Sequence, residues 1–263
     1  MRWILILLIG SFAFLPAGAG HADDNFPQEK EIWSGLANKV AEHVNEQNYP
    51  AARDALAVLS KRFANSNLVD QELTVPAIHT LSAMIMDVER NLNRIRPNPS
   101  KIKQSALRMQ IAFDAVSHSY QPLWHQYYSQ LKQDSDLLLE AVRTRNEMEY
   151  EKKLIPFYDH YQLIRPALIV SKSEMTVEKL DSLMTFIRKT KDWTDRERGI
   201  RQWESLIHPL FYGTEKDVMA AVYKWNEVVI KQMIFLVLGV ITGGLVYVGW
   251  RKYPRQPATP DQV

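Results

Sequence analysis

The chain has 263 residues, of which 46% are hydrophobic and 24% charged, so it can bury a core and is not of the intrinsically disordered class. It contains no cysteine, which excludes disulfides, thiolate metal sites and a lipidated N-terminal cysteine. The formal net charge is +2, but Arg2, Arg251, Lys252 and Arg255 flank hydrophobic segments, and residues 23–232 are nearly neutral. A folded domain without excess positive charge argues against nucleic-acid binding.

The N-terminus has the pattern of a secretory signal sequence. Arg2 is followed by a mostly apolar run over residues 3–15 and then by small residues between Ala17 and Ala22. A positive start, an apolar run too short to span a bilayer and small residues before a cleavage site are typical of such signals. We therefore predict a signal peptide at 1–22, with an uncleaved anchor as the alternative. Either one places the next domain, 23–232, outside the cytoplasm.

Within residues 23–232 the apolar residues recur at helical spacing, and no segment shows the alternation of strands. We predict an all-α fold, either a multi-helix bundle or an array of helical hairpins. The first two predicted helices form a hairpin around the turn at Asn48-Tyr49-Pro50. The predicted helical segments are 29–46, 51–64, 76–96, 100–120, a helix from Asp134 to about residue 153, an aromatic segment at 156–170, 177–191 and 194–213.

Local patterns also predict where these helices begin and end. Ser100 and either Asp134 or Asp136 are suitable helix starts, and residues 194–197 have the pattern of a capping box. Gly213 is predicted to end the helix that follows. The third helix has an apolar seam with a spacing of three and four residues, formed by Ile78, Leu81, Ile85, Val88, Leu92 and Ile95.

Near the C-terminus lies a second apolar segment, residues 233–250, which contains no charged residue. As a helix it is about 27 Å long, close to the thickness of the hydrocarbon core of a bilayer. Tyr247 and Trp250 lie where interfacial aromatic residues are found, and Arg251 and Lys252 follow at once. We therefore predict one transmembrane helix at 233–250.

Because short basic flanks remain in the cytoplasm, we predict that residues 251–263 form a basic cytoplasmic tail. Within the predicted membrane helix, Gly239 and Gly243 are spaced for close approach of two helix backbones, which would allow a homodimer. The alternative is that these glycines reflect the usual glycine content of membrane helices.

Phe211, Tyr212 and Gly213 lie immediately before the final helix, which is predicted to start at Thr214 and to continue toward the membrane. We predict that these three residues form the junction between the domain and the membrane helix. The alternative is that they serve only in ordinary packing.

No complete motif for catalysis, nucleotide binding or metal binding is present. The seven histidines include neither Glu-x-x-His nor His-Glu-x-x-His, and Ser100 begins a Ser-x-x-Lys match without its partner motifs. His118, Trp124 and His125 lie among several tyrosines. We interpret them as a polar-aromatic packing cluster, with a metal or ligand site as the alternative. The sequence predicts no enzyme, cofactor or metal.

The segment from Asn48 to Phe63 and the segment from Trp203 to Gly213 resemble the sporulation protein YpjB family of spore-forming bacilli. The order of signal sequence, helical outer domain, membrane helix and basic tail is similar as well, so the resemblance covers nearly the whole chain. It implies a setting, endospore formation, and brings no catalytic residue with it.

From the resemblance and the predicted layout we expect a non-enzymatic, single-pass protein of the cell membrane. Its helical domain would contact envelope or sporulation proteins at the cell or forespore surface. The alternative is a ligand-binding or sensory outer domain coupled to the membrane helix, although a tail of 13 residues leaves no room for a signalling enzyme inside the cell.

Overall fold

The computed structural model describes residues 26–68 and 71–252, with the side chains of 26–28, 222–233 and 250–252 outside the described part. This part contains α-helices, one 3-10 helix and no strand, so the predicted all-α fold is confirmed. The helices are α1 (Phe26–Asn45), α2 (Tyr49–Asn65), α3 (Val75–Leu92), α4 (Pro99–Ser117), the 3-10 helix (Leu123–Tyr127), α5 (Tyr128–Arg143), α6 (Glu147–Ser171), α7 (Glu174–Lys189), α8 (Trp193–Tyr212) and α9 (Glu215–Lys252).

The predicted signal peptide, 1–22, and residues 253–263 of the predicted tail lie outside the described residues. The predicted hairpin of the first two helices is present as α1 and α2. Gln47, between them, has a φ of 59°, and Asn48 then caps α2 by accepting a hydrogen bond from the backbone N–H of Ala51. This left-handed residue followed by a cap allows the chain to reverse within three residues.

Two predicted helix starts are wrong by two residues. α4 is capped by Asn98 rather than Ser100, and the side chain of Asn98 accepts from the N–H of Lys101. α8 is capped by Asp192, whose carboxylate accepts from the N–H groups of Thr194 and Asp195. At α8 an aspartate is a better cap than the threonine that follows, and at α4 Pro99 after Asn98 is suited to the first helical position.

The predicted start at Asp134 or Asp136 is also wrong, because both residues lie inside α5, which begins at Tyr128. The chain breaks at residues 144–146 rather than between 153 and 156. Arg145 has a φ of 48°, and Asn146 caps α6. α6 then continues through Pro156, which the sequence had placed at a boundary.

The core consists of two groups of buried apolar side chains that share α4. The first group consists of side chains from helices α1, α2, α3 and α4. The second consists of side chains from α4 and from the elements that follow it, up to the start of α9. Met109 and Phe113 of α4 belong to the first group, whereas Ile111 and Ala115 belong to the second. Because α4 is buried on two sides, it is the central helix of the fold.

The apolar seam of α3 is confirmed for four of its members, Leu81, Ile85, Val88 and Leu92, which are buried. Ile78 is half-buried. Ile95 is fully exposed, so its assignment to the seam is wrong. The physical reason is that α3 ends at Leu92, three residues earlier, and Ile95 no longer lies on a helical face.

α9 is a single helix of 38 residues. Near its start Val218 is buried in the core, whereas the large apolar side chains between Ile234 and Val248 are 54–77% exposed. Among the residues described, no helix meets the length and mean hydropathy required of a membrane span. The membrane helix at 233–250 therefore stays a prediction.

Candidate functional site

Two groups of residues that the sequence analysis treated separately meet in the structure. Trp124 and His125 of the 3-10 helix contact Phe211 and Tyr212 at the end of α8, with ring centroids 4.7 Å apart for Trp124–Phe211 and 5.8 Å for His125–Tyr212. Tyr128 adds contacts of 5.4 Å to Phe211 and 5.0 Å to Tyr212. We call these five side chains the aromatic corner. Edge-to-face and tilted contacts of this kind are favourable for aromatic rings.

A buried carboxylate fixes the turn that carries Trp124 and His125. Asp114 of α4 accepts a hydrogen bond of 2.5 Å from the backbone N–H of Leu123, the first residue of the 3-10 helix. His118 lies 2.8 Å from the same carboxylate and 3.6 Å from Glu31. His118 and the turn therefore share the carboxylate of Asp114, whereas the ring contacts of Trp124 and His125 are made with each other and with Phe211 and Tyr212.

An open cleft of about 680 Å³ lies beside the aromatic corner. Its lining contains one lysine and no aspartate or glutamate. Two of its tyrosines are well exposed, Tyr120 at 88% and Tyr212 at 58%. The lining residues are Ser119, Tyr120, Gln121, Pro122, Trp124, His125, Gln126, Ser171, Lys172, Phe211, Tyr212 and Gly213.

Lys172, at the end of α6, is the cation of this cleft. Its Nζ lies 5.7 Å from the centroid of the Trp124 ring. Burial lowers the pKa of Lys172, and the charge of Glu215 opposes this effect. Burial, followed by the charge of Lys172, also lowers the pKa of His125. His125 is therefore neutral at neutral pH, and Lys172 carries the positive charge.

The start of α9 is held to α7 by one carboxylate that the sequence analysis missed. Glu215 accepts hydrogen bonds from Thr176 Oγ1 at 2.5 Å, Ser173 Oγ at 2.9 Å and the backbone N of Ser173 at 3.1 Å. We call this the Glu215 clamp. Its partners lie 39 and 42 residues away in the sequence, so no local pattern could have revealed it.

Gly213 ends α8 as predicted, in an extended conformation with φ −98° and ψ 179°. A glycine is needed here for space rather than for a left-handed backbone. A Cβ at this position would lie 2.8 Å from the carbonyl oxygen of Pro209 and 2.9 Å from its Cα. The chain at Gly213 therefore lies so close to the last turn of α8 that a side chain has no room there.

Gly239 and Gly243 lie one helical turn apart on α9, and a Cβ at either position would have nothing within 4 Å. Their pairing with a second copy stays a prediction. Within the described ranges no group of three or more His, Asp or Glu side chains is placed to hold a metal ion.

A second cleft, of about 670 Å³, lies between the start of α3 and the helices α6 and α7. The charges of its main ion pair already neutralise each other. Arg165 donates two hydrogen bonds to Asp181, at 2.6 and 2.7 Å, and Tyr161 donates a third at 2.8 Å. Glu174 and Glu178 add further negative charge to its lining. Lys172 lines both clefts, and the cleft beside the aromatic corner differs because its own lining contains no acid.

The chain is 22% identical over 258 residues to the uncharacterized protein YpjB of Bacillus subtilis (strain 168), with 96% of this chain and 94% of that protein covered. No solved structure matches. The family model described as sporulation protein YpjB matches residues 32–257. This match confirms the resemblance drawn from the two segments ending at Phe63 and Gly213, and the chain belongs to the sporulation protein YpjB family.

Proposed function

We propose that this protein is a non-enzymatic, membrane-anchored sporulation protein whose helical domain contacts other proteins outside the cytoplasm. Family membership supports the sporulation setting. The observation that carries the proposal is the construction of α9, which leaves the packed domain and continues as one helix into an exposed apolar segment.

The two ends of α9 have opposite surroundings. At the start, Val218 is buried and the Glu215 clamp holds the helix to α7. Further along, apolar side chains from Ile234 to Val248 are exposed on every side of the helix. An exposed apolar surface of this extent is typical of a segment that is covered by a lipid bilayer or by another protein. The charge-free sequence of residues 233–250, about 27 Å long as a helix, supports a bilayer as that partner.

A groove between α7 and α8 supports the proposed protein contacts. Met175 and Phe186 line this groove and are 55% and 39% exposed, with Leu206 beside them. Lys179 and Arg198 supply polar groups to the same groove. An apolar floor with a charged rim is typical of transient protein interfaces.

The proposal is tested by complementing a deletion strain with three versions of the chain. They are the full chain, a chain ending at Glu227, and a chain in which residues 233–250 are replaced by an unrelated membrane helix. We expect the deletion strain to grow normally but to form fewer spores or spores with an altered envelope. The full chain and the replaced-helix chain should restore spores, because only anchoring is required of the segment.

Full restoration by the chain ending at Glu227 would contradict the anchor. Spores unaffected by the deletion would contradict the setting. A folded but inactive variant in an alanine scan of Asp, Glu, His and Ser would contradict the absence of catalysis or ligand binding in the role.

A second candidate function is a ligand-binding outer domain coupled to α9. The observation that favours it is the position of the cleft, because its lining includes the end of α8, Phe211 and Tyr212, and Gly213 in the short link to α9. A ligand held there would contact the residues that set the direction of the final helix.

A further inference from the structure

We propose that the cleft beside the aromatic corner binds a small organic anion, with a carboxylate directed to Lys172 and a ring or apolar group against the aromatic side chains. This inference goes beyond the proposed function, because it requires neither the membrane anchor nor a protein partner. It assigns a ligand class to a cleft that the contact role leaves unused.

The positive charge of the cleft supports an anionic ligand. Lys172 is half-buried, and in the described part of the chain its ammonium forms no ion pair within 4 Å. Glu215 acts on Lys172 through its charge, but the Glu215 carboxylate is already bound by Ser173 and Thr176. Lys172 also lines the second cleft, but none of the acids there forms an ion pair with it among the described residues. The lining beside the aromatic corner contains no acid, so a ligand carboxylate bound there is the group that would pair with Lys172.

Partial burial strengthens such a pair. A lysine that is partly removed from water is destabilised when no counter-ion is in contact with it, and an anion that enters the cleft offsets this cost. The attraction between the two charges also increases as the local dielectric falls below that of water.

The aromatic side chains of the cleft support a ligand with a ring or an apolar group. Tyr120 and Tyr212 are exposed in the lining, and Trp124 lies beneath Lys172. Aromatic walls with a few polar groups are typical of small-molecule sites, and they pack rings or apolar chains. The indole N–H of Trp124 is buried, so Trp124 contributes the face of its ring rather than a hydrogen bond to this wall.

The size of the cleft limits the ligand. A volume of about 680 Å³ is within the usual range for small-molecule sites. It accommodates a small acid or the last residues of a peptide, but not a folded domain. These two sources share the same chemistry, a free carboxylate beside a ring or apolar side chain.

Calorimetric titration of the purified full-length chain separates these possibilities. The three probes are N-acetyl-phenylalanine, its neutral amide, and the tripeptide acetyl-Ala-Ala-Phe with a free C-terminus. We expect the two acids to bind and the amide to bind about tenfold more weakly, since a hydrogen-bonded charge contributes at least this much. Tighter binding of the tripeptide assigns the cleft to a peptide C-terminus, and equal binding assigns it to a small acid.

Two variants and one matched control test the residues. Lys172→Gln removes the cation and should weaken binding of N-acetyl-phenylalanine about tenfold. Tyr212→Leu removes an exposed ring and should weaken both acids. Lys216→Gln removes an exposed cation next to Glu215 that does not line the cleft, and it should bind as the wild type does.

Thermal unfolding of each variant shows that the fold is kept. The proposal is overturned if none of the three probes binds the wild-type chain, if the acid and its amide bind equally, or if Lys172→Gln binds the acids as the wild type does.

Discussion

Glu215, the first residue of α9, accepts a hydrogen bond of 2.5 Å from the buried hydroxyl of Thr176 in the first turn of α7. The same carboxylate binds the side chain and the backbone N–H of Ser173, the cap of α7. The final helix is therefore attached to the domain by a side chain as well as by its peptide connection to α8. The free-energy contribution of this attachment depends on the charge of Glu215.

We predict that Glu215→Gln lowers the free energy of unfolding at neutral pH by about 1 kcal/mol, at the low end for a charged hydrogen bond because the group is partly exposed. Burial acts to raise the pKa of Glu215, but the hydrogen bonds from Thr176 and Ser173 and the charge of Lys172 bring it below the usual 4.5. Because the pKa in the folded state is the lower one, the stabilisation is complete above about pH 4.5 and is lost as the pH falls through the folded value.

Urea unfolding of the wild type and Glu215→Gln across this pH range checks the prediction. The difference in stability between the two proteins should shrink as the pH falls below about 4.5. A difference that stays constant with pH would show that the carboxylate charge is not the source of the stabilisation.

Gly213→Ala should destabilise the chain by about 1–3 kcal/mol, because the new Cβ would meet the backbone of Pro209 and force a shift. The matched control is Gly35→Ala in α1, where a Cβ has nothing within 4 Å. That change should stabilise the chain by about 0.5–1 kcal/mol through the higher helix propensity of alanine. Thermal unfolding of both variants would contradict this account if the two changes had the same sign.

Arg196 holds the start of α8 to the start of α6. It is 2% exposed, donates to both oxygens of Glu147 at 2.6 and 2.7 Å, and lies 4.1 Å from the Tyr150 ring and 4.5 Å from the Trp193 ring. We predict that Arg196→Lys costs about 1–3 kcal/mol, because lysine neither forms the paired hydrogen bonds nor stacks on the rings.

The control for Arg196 is Arg201→Lys, which alters an exposed pair with Glu197 one helical turn away. It should cost no more than about 0.5 kcal/mol. Chemical unfolding measures the change in free energy of unfolding for both variants. Equal changes would show that burial of Arg196 does not strengthen its interactions.

Leu81→Ala should lower the free energy of unfolding by about 2–5 kcal/mol, because Leu81 is fully buried and the change leaves a cavity. Ile95→Ala should change it by less than about 0.5 kcal/mol, since Ile95 is fully exposed. The sequence pattern assigned both residues to the apolar seam of α3. Because α3 ends at Leu92, only Leu81 lies on the buried face, and comparing the unfolding curves of the two variants tests this helix end.

The orientation of the proposed membrane helix is tested by fusions. Alkaline phosphatase, which is active only outside the cytoplasm, should be active when fused after Glu227 and inactive when fused after Tyr253. The reason is that Arg251 and Lys252 favour the cytoplasmic side. The reverse pattern of activity would contradict the proposed orientation, and activity at both positions would contradict the span.

Local features of the fold were predictable because they depend on neighbouring residues. The turn at Asn48 follows from capping chemistry, and the buried positions of α3 follow from their spacing. The end of α8 at Gly213 was also predicted, although the glycine is there for space and not as a left-handed cap. α6 was not predictable in this way. It contains Pro156 and Pro166 inside the helix, because burial of side chains such as Phe157 offsets the hydrogen bonds that proline removes.

The candidate site was predictable only in its parts. The sequence grouped Trp124 and His125 with His118, and Phe211 and Tyr212 were noted because they precede the final helix. Nothing local indicated that the two pairs meet, since they are separated by more than 80 residues. Lys172 was missed for the same reason, because its role depends on the Trp124 ring beside it.

The position of α4 between the two groups of buried side chains has a consequence for folding while the chain is being synthesised. α1, α2 and α3 emerge first during synthesis, yet Trp33 and Leu81 belong to a core that α4 completes. α4 in turn has a second apolar side, with Ile111 and Ala115, that waits for α5 and α6. The early helices are therefore left with uncovered apolar surface until residues 99–117 arrive, and a ribosome that stalls before that point leaves a product prone to aggregation.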